Sequence, residues 1–126
     1  DDDACGLVLG HDGLNSFALL GASSDRLPPP LFMTTEATAF LFVVVDGVVI
    51  DQVTMPIEKW GLDDTNPLGL VLSQSESELI GVVNGQELRL ASDPMLGRAG
   101  LWAYGSGNTK AQASCCSFLE ANAIED

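Results

Sequence analysis

The side chains best equipped for chemistry in this chain are oxygen ligands. Eighteen Asp and Glu face five Lys and Arg, one His and three Cys. Many of the acids fall where turns are expected: Asp1-Asp2-Asp3, Asp12, Asp25, Asp46, Asp51, Asp63-Asp64 and Asp93. Turn carboxylates with neighbouring carbonyls suit a hard cation, and Ca²⁺ takes about six to eight such oxygens. A single His and three Cys give little material for Zn²⁺, so Ca²⁺ is the expected metal. The residues singled out as its ligands are Asp1, Asp2, Asp3 and Asp12. No Asp-x-[Asp/Asn]-x-[Asp/Asn]-Gly loop is present, which excludes an EF-hand. At each position a merely solubilising acidic surface is the competing reading.

Catalytic constellations are poorer. Paired carboxylates could serve as acid and nucleophile, but Glu76-Ser77-Glu78 has the wrong spacing and Glu58-Lys59-Trp60 puts a base beside its acid. His11 lies near Asp12 and Ser16 without a partner that completes a triad. Cys5 and Cys115 fall in apolar strands, where an inert thiol or a bridge is expected rather than a nucleophile. The chain therefore reads as a non-enzyme with no catalytic residue.

The formal charge of −13 repels phosphate backbones and excludes nucleic acid as a primary partner. It equally disfavours anionic membranes. The longest apolar run, Ala39 to Val45, is too short for a helix to span a bilayer, so no membrane insertion is expected. Apolar residues make up 46% of the chain, enough for a packed core in one domain covering residues 1–126. Three cysteines, two of them adjacent at Cys115 and Cys116, mean that one intrachain bridge leaves a thiol free or paired between chains. With no initiator Met or leader, the sequence reads as starting after a removed signal, a cleavage or a truncation. An acidic, lysine-poor, thiol-bearing chain suits a secreted or cell-surface setting, with buried, reduced Cys in a cytosolic protein as the competing reading.

The elements that must hold these residues are strands. Short apolar runs bounded by Gly, Pro, Asn and Asp recur at about the 8–12-residue spacing of all-β domains. They are Ala4–Gly10, Ser16–Gly21, Ala39–Asp46, Val48–Val53, Gly69–Ser73, Leu79–Val83, Glu87–Leu90, Ala99–Tyr104 and Ala113–Leu119. Asp46-Gly47 and Asn84-Gly85, between β-prone flanks, predict two type I′ hairpins. Pro28-Pro29-Pro30 marks a rigid extended crossing, and Glu58 to Pro67 reads as a loop. Around nine strands without helices predict an all-β, antiparallel two-sheet β-sandwich of the jelly-roll type. Its core is expected to include Leu7, Leu9, Phe40, Phe42, Val44, Leu101 and Phe118, with Trp102 and Tyr104 also inside.

Three stretches, in order, carry a family resemblance. Asp1 to Leu20 (D-D-D-A-C-G-L-V-L-G-H-D-G-L-N-S-F-A-L-L) resembles a D-D-x-x-G-L-V-F-G-Y-x-D-x-x-N-F-Y-L-L segment. Ala39 to Gln52 resembles a strand pair turning on Asp-Gly. Leu79 to Tyr104 resembles v-N-G-x-x-l followed by l-x-G-r-v-G-L-w-a-y. These are features of the concanavalin A-like lectin/glucanase superfamily, including laminin-G-like and thrombospondin C-terminal-like domains. The glucanase branch carries Glu-x-Asp-x-x-Glu on one strand, and no such motif occurs here. In that family a closing strand follows, a place Ala111 to Leu119 could fill, and extra strands precede the first matched segment, which here begins at Asp1.

The resemblance implies a glycan or protein ligand held through loops, often with Ca²⁺ at loop carboxylates. Trp60, in a loop with Asp63, Asp64 and Asn66, is the candidate sugar platform, against a plain rim-packing role. Three functions follow as expectations. The first is a non-enzymatic recognition or adhesion module. The second is a self-assembling structural subunit, a homo-oligomer or filament that pairs strand edges and is strengthened by salt or Ca²⁺. The third is a glycoside hydrolase-related domain that lacks the usual acids.

Overall fold

The structure, a computed structural model, describes residues 4–23, 37–58 and 68–104. Eight strands occur there and no helix: β1 (Ala4–His11), β2 (Phe17–Ser23), β3 (Thr38–Val45), β4 (Val48–Pro56), β5 (Leu70–Gln74), β6 (Glu78–Val83), β7 (Gln86–Ala91) and β8 (Arg98–Tyr104). They form two antiparallel sheets, a five-stranded one in the order β4-β3-β2-β1-β8 and a three-stranded one in the order β5-β6-β7. The expected strands within these residues are present, with boundaries that coincide or shift by at most three residues. The ninth, Ala113–Leu119, lies outside the described residues.

Turn chemistry sets the hairpins. Asp46 and Gly47 have φ of 53° and 80°, and Asn84 and Gly85 have 48° and 85°. Positive φ at both central residues is the type I′ geometry whose twist matches the flanking strands. The Asn84 side chain adds a brace, its Oδ1 accepting the Gly69 N–H at 2.6 Å.

The small sheet lies under the large one, with β5 beneath β1 and β2, and β7 beneath β3 and β4. Between them sits the main core of Cys5, Ala18, Leu20, Ala22, Ala39, Leu41, Val43, Leu79, Val83, Leu88 and Leu90. Residues directly opposite on paired strands share a face, so one row of the large sheet runs Leu101–Leu7–Leu20–Leu41–Val53. Leu20 and Leu41 are fully buried, Leu7 and Val53 half-buried, and Leu101 is 46% exposed. Leu101 thus corrects the expected core. It points to the inner side, but three strands are too narrow to reach under the fifth strand of the sheet above. Leu9 is half-buried against the main core.

Phe40, Phe42 and Val44 are buried as expected, but on the other face of the large sheet. With Leu19 they form a second cluster, flanked by Val8 and Phe17, in which the Phe40 and Phe42 rings stack at 5.0 Å. Strand β3 is therefore buried on both faces. Phe118 and the side chains of Trp102 and Tyr104 fall outside what is described.

Cys5 is fully buried and disulfide-bonded. The chain's other cysteines are Cys115 and Cys116. Of the two alternatives expected for this residue, the bridge holds.

Candidate functional site

The described residue among the expected metal ligands is Asp12; Asp1, Asp2 and Asp3 lie outside the described residues, as do Trp60, Asp63, Asp64 and Asn66. Asp12 is exposed in the β1–β2 turn. Its Oδ1 accepts the Leu14 N–H at 2.8 Å and the Ser16 N–H at 3.1 Å, while its own N–H donates to the Ser16 carbonyl at 3.2 Å. This is an Asx-type turn, in which a short carboxylate satisfies backbone donors that would otherwise face water. Those N–H groups, Leu14 foremost, then Ser16, hold the Asp12 carboxyl below the usual carboxylate range, with a smaller contribution from His11. Among the described residues no group of three or more His, Cys, Asp or Glu is placed to hold a metal.

The turn is cross-braced to the neighbouring hairpin. The Gly47 N–H donates to the Asn15 carbonyl at 2.9 Å, and the Asp46 N–H donates to Ser16 Oγ at 3.0 Å. Asp46, another of the turn acids, thus sits in a fixed frame.

Next to this frame lies an open groove of about 570 Å³, lined by His11, Asp12, Gly13, Leu96, Gly97 and Arg98. A β-bulge builds it. Val8 pairs with Gly100, but the next aligned pair is His11 with Arg98, so β1 carries one extra residue. Gly10 absorbs it at φ 67°. Simple alternation from Leu9, which packs inward, would send His11 to the inner side. The extra residue turns His11 to the outer face instead, where its ring stacks on Phe17 with centroids 5.4 Å apart. Arg98, its cross-strand partner, shares that face.

The second wall is anchored from the small sheet. Gln74, the last residue of β5, donates from Nε2 to the Met95 carbonyl at 2.9 Å and accepts the Met95 N–H at Oε1, 2.8 Å away. Gly97, at φ 149°, runs so close to β1 that a Cβ there would lie 2.7 Å from the Gly10 carbonyl carbon. The sequence names none of Gln74, Met95, Gly97 and Arg98 as site residues, although Gly97 and Arg98 fall in the third of the family-like stretches. The one local signal was the glycine before Arg98; the rest depends on pairing distant strands.

His11 Nδ1 accepts the Gly13 N–H at 2.8 Å, which leaves Nε2 as the protonated, donor nitrogen of the neutral ring. Arg98 makes no ion pair with a described residue. Arg89, by contrast, is engaged by Glu78 at 2.7 Å and by Glu87. Glu78 of the Glu76-Ser77-Glu78 stretch is thereby tied up on β6, while Glu76 stands exposed in the β5–β6 turn.

Comparison with known proteins found no family model, no curated protein and no solved structure that matches the chain.

The Asp12 turn has a pH signature. With its folded value depressed, the carboxyl binds fewer protons in the native than in the unfolded chain, so stability from the turn is present in full above the usual carboxylate range. It is lost as pH falls through the lowered folded value. Asp12→Ala is expected to reduce Tm at neutral pH, and the gap to the unaltered protein should close progressively in acid. A gap that stays constant across an acid series of thermal melts would contradict this role.

Proposed function

We propose that this chain is a non-enzymatic recognition module of the secreted or cell-surface type, a jelly roll of the concanavalin A-like superfamily that takes a glycan or protein ligand at its loop end. The observation that carries this reading is the braced loop cluster beside the groove. Backbone hydrogen bonds fix the β1–β2 turn to the β3–β4 hairpin, and Gln74 fixes the opposite wall. Binding surfaces are commonly carried by loops held on a rigid β scaffold. Ca²⁺ at the acidic turns is part of the proposal, with Asp1, Asp2, Asp3 and Asp12 as its ligands, and Trp60 with Asp63, Asp64 and Asn66 as a sugar platform.

The self-assembly alternative depends on an open strand edge, and β4 is a guarded one. Its run Val48-Val49-Ile50 is exposed and apolar. However, Ile50 is the extra residue of a bulge, the Gln52 N–H is taken by Asp51 Oδ1 at 2.9 Å, and the strand ends at Pro56. Bulges and proline are among the means by which sheet edges resist pairing, which argues against assembly through β4.

A glycan array and a pull-down with the intact protein, each run with Ca²⁺ and with EGTA, test the reading. Selective retention of a ligand by a monomer is the expected result. A protein that sediments as a polymer at every ionic strength and retains no ligand would establish the assembly alternative instead.

A further inference from the structure

We propose that the exposed apolar side of the β3–β4 hairpin tip is a docking surface for a cationic protein partner, one that presents a small apolar cluster flanked by Lys or Arg. This inference rests on the recognition reading and takes its protein branch, at the hairpin rather than the groove. Register gathers the patch on one side of the sheet. Val43 points into the main core, so alternation sends Val45 to the same side. Val48 pairs with Val45 and Asp51 with Val43, so both share that side. Ile50 follows Val49, the partner of outward-facing Val44, and alternation turns it to the inner side too. Yet Val48 and Ile50 are each 61% exposed, whereas Val43 is buried. The patch continues the core beyond the reach of the small sheet. Leu14, 81% exposed, stands beside Asn15, whose carbonyl accepts the Gly47 N–H, and supplies a further apolar side chain at this end.

Charge selects the partner. Asp46 sits between Val45 and Val48 at the turn, and Asp51 follows Ile50; both are exposed. Residues 4–23 and 37–58, which build β1 to β4, contain no Lys or Arg. The bases among the described residues lie elsewhere. Arg89 is engaged by Glu78 and Glu87 on the small sheet, and Arg98 stands on β8, the edge strand farthest from β4. An apolar centre with a rim of one sign complements an apolar centre with a rim of the other. A second copy would set carboxylates against carboxylates on chains of net charge −13, and an acidic partner meets the same repulsion.

The contact uses the face of the hairpin and not its edge, since the bulge and Pro56 keep β4 from extending the sheet. That face is set before a partner arrives. The type I′ turn at Asp46 and Gly47 and the Asp46 N–H bond to Ser16 Oγ fix its backbone. Docking therefore has little of the hairpin left to order.

The test is an NMR titration of the intact, isotope-labelled protein with three synthetic peptides. One alternates leucine with lysine, one has glutamate in place of lysine, and one has serine in place of leucine. The leucine–lysine peptide alone should bind saturably, shifting the backbone signals of Leu14, Val45, Gly47, Val48 and Ile50, and its affinity should fall as salt rises. Ile50→Ser should weaken it about tenfold, and Asp51→Asn should cause a smaller loss that vanishes at high salt. Val71→Ser, at another exposed apolar position on β5, should leave binding unchanged. Equal binding of the serine–lysine peptide, or shifts that spread to Glu76 and Asp93, would reduce the effect to bulk charge and overturn the patch. Preference for the leucine–glutamate peptide would overturn the cationic class. Concentration-dependent dimerisation that Ile50→Ser abolishes would give the surface to a second copy instead. No response to any peptide, in a protein that still retains a glycan on the array, would overturn this inference alone; no ligand of either kind would take the recognition reading with it.

Discussion

Phe40→Ala should lower the free energy of unfolding by about 3–5 kcal/mol, the range found when a buried phenylalanine is truncated in a core. Phe40 is fully buried on the outer face of the large sheet, stacked on Phe42 and backed by Leu19 and Val44. Its ring lies across Gly21, where a Cβ would come within 2.5 Å of Phe40 Cζ. Removing the ring leaves a hole that neighbours fixed in a central strand cannot fill. Native domains hold only about 5–15 kcal/mol in total, so this one change should shift the urea midpoint strongly. A loss below 1 kcal/mol would mean that the outer cluster is not a true core and that the fold is a sandwich with a single packed interior.

Reduction of the Cys5 bridge should have an effect of similar size. Whichever of Cys115 and Cys116 completes it, the closed loop spans about 110 residues. Loop entropy alone then assigns ~4–5 kcal/mol to the bridge, and native bridges commonly contribute about 2–5. Urea unfolding with and without a reductant measures this directly. Cys5→Ala should reproduce most of the loss, because the site is fully buried and alanine leaves no unsatisfied polar atom there. Under non-reducing conditions, a peptide map should show one thiol remaining at residue 115 or 116. An unchanged midpoint on reduction would show that the bridge closes nothing that matters to the unfolded chain.

Some of this architecture is plain in the residues. Asp46-Gly47 and Asn84-Gly85 announce their hairpins because few residues tolerate two successive positive φ angles. β7 alternates cleanly, Leu88 and Leu90 inward with Glu87 and Arg89 outward, and its period can be read directly. Local steric preference and one-sided burial both act within a few residues, so a sequence can display them.

The central strand shows where that stops. Thr38–Val45 is apolar at nearly every position, since both of its faces are covered, and a strand of that kind carries no period-two signal. Nothing local tells which set, Ala39-Leu41-Val43 or Phe40-Phe42-Val44, meets the second sheet. The smaller set faces the other sheet, and the larger set forms the cluster on the outer face. Leu101 teaches the same about width: its side is set by pairing with Leu7, its burial by how many strands lie opposite.

The groove was less legible still. Asp12 was visible as a turn acid, but a ligand for cations and a cap for backbone N–H groups look identical until the turn is closed. His11 and Arg98 stand 87 positions apart, and one extra residue at Gly10 decides that they share a face. The sequence by itself determined an acidic all-β chain with two type I′ hairpins, because these depend on composition and on neighbours along the backbone. Only the tertiary structure decided which face is core and which side chains meet at the loop end. Those follow from register and from the strands stacked opposite, and both are settled by residues far apart in the chain.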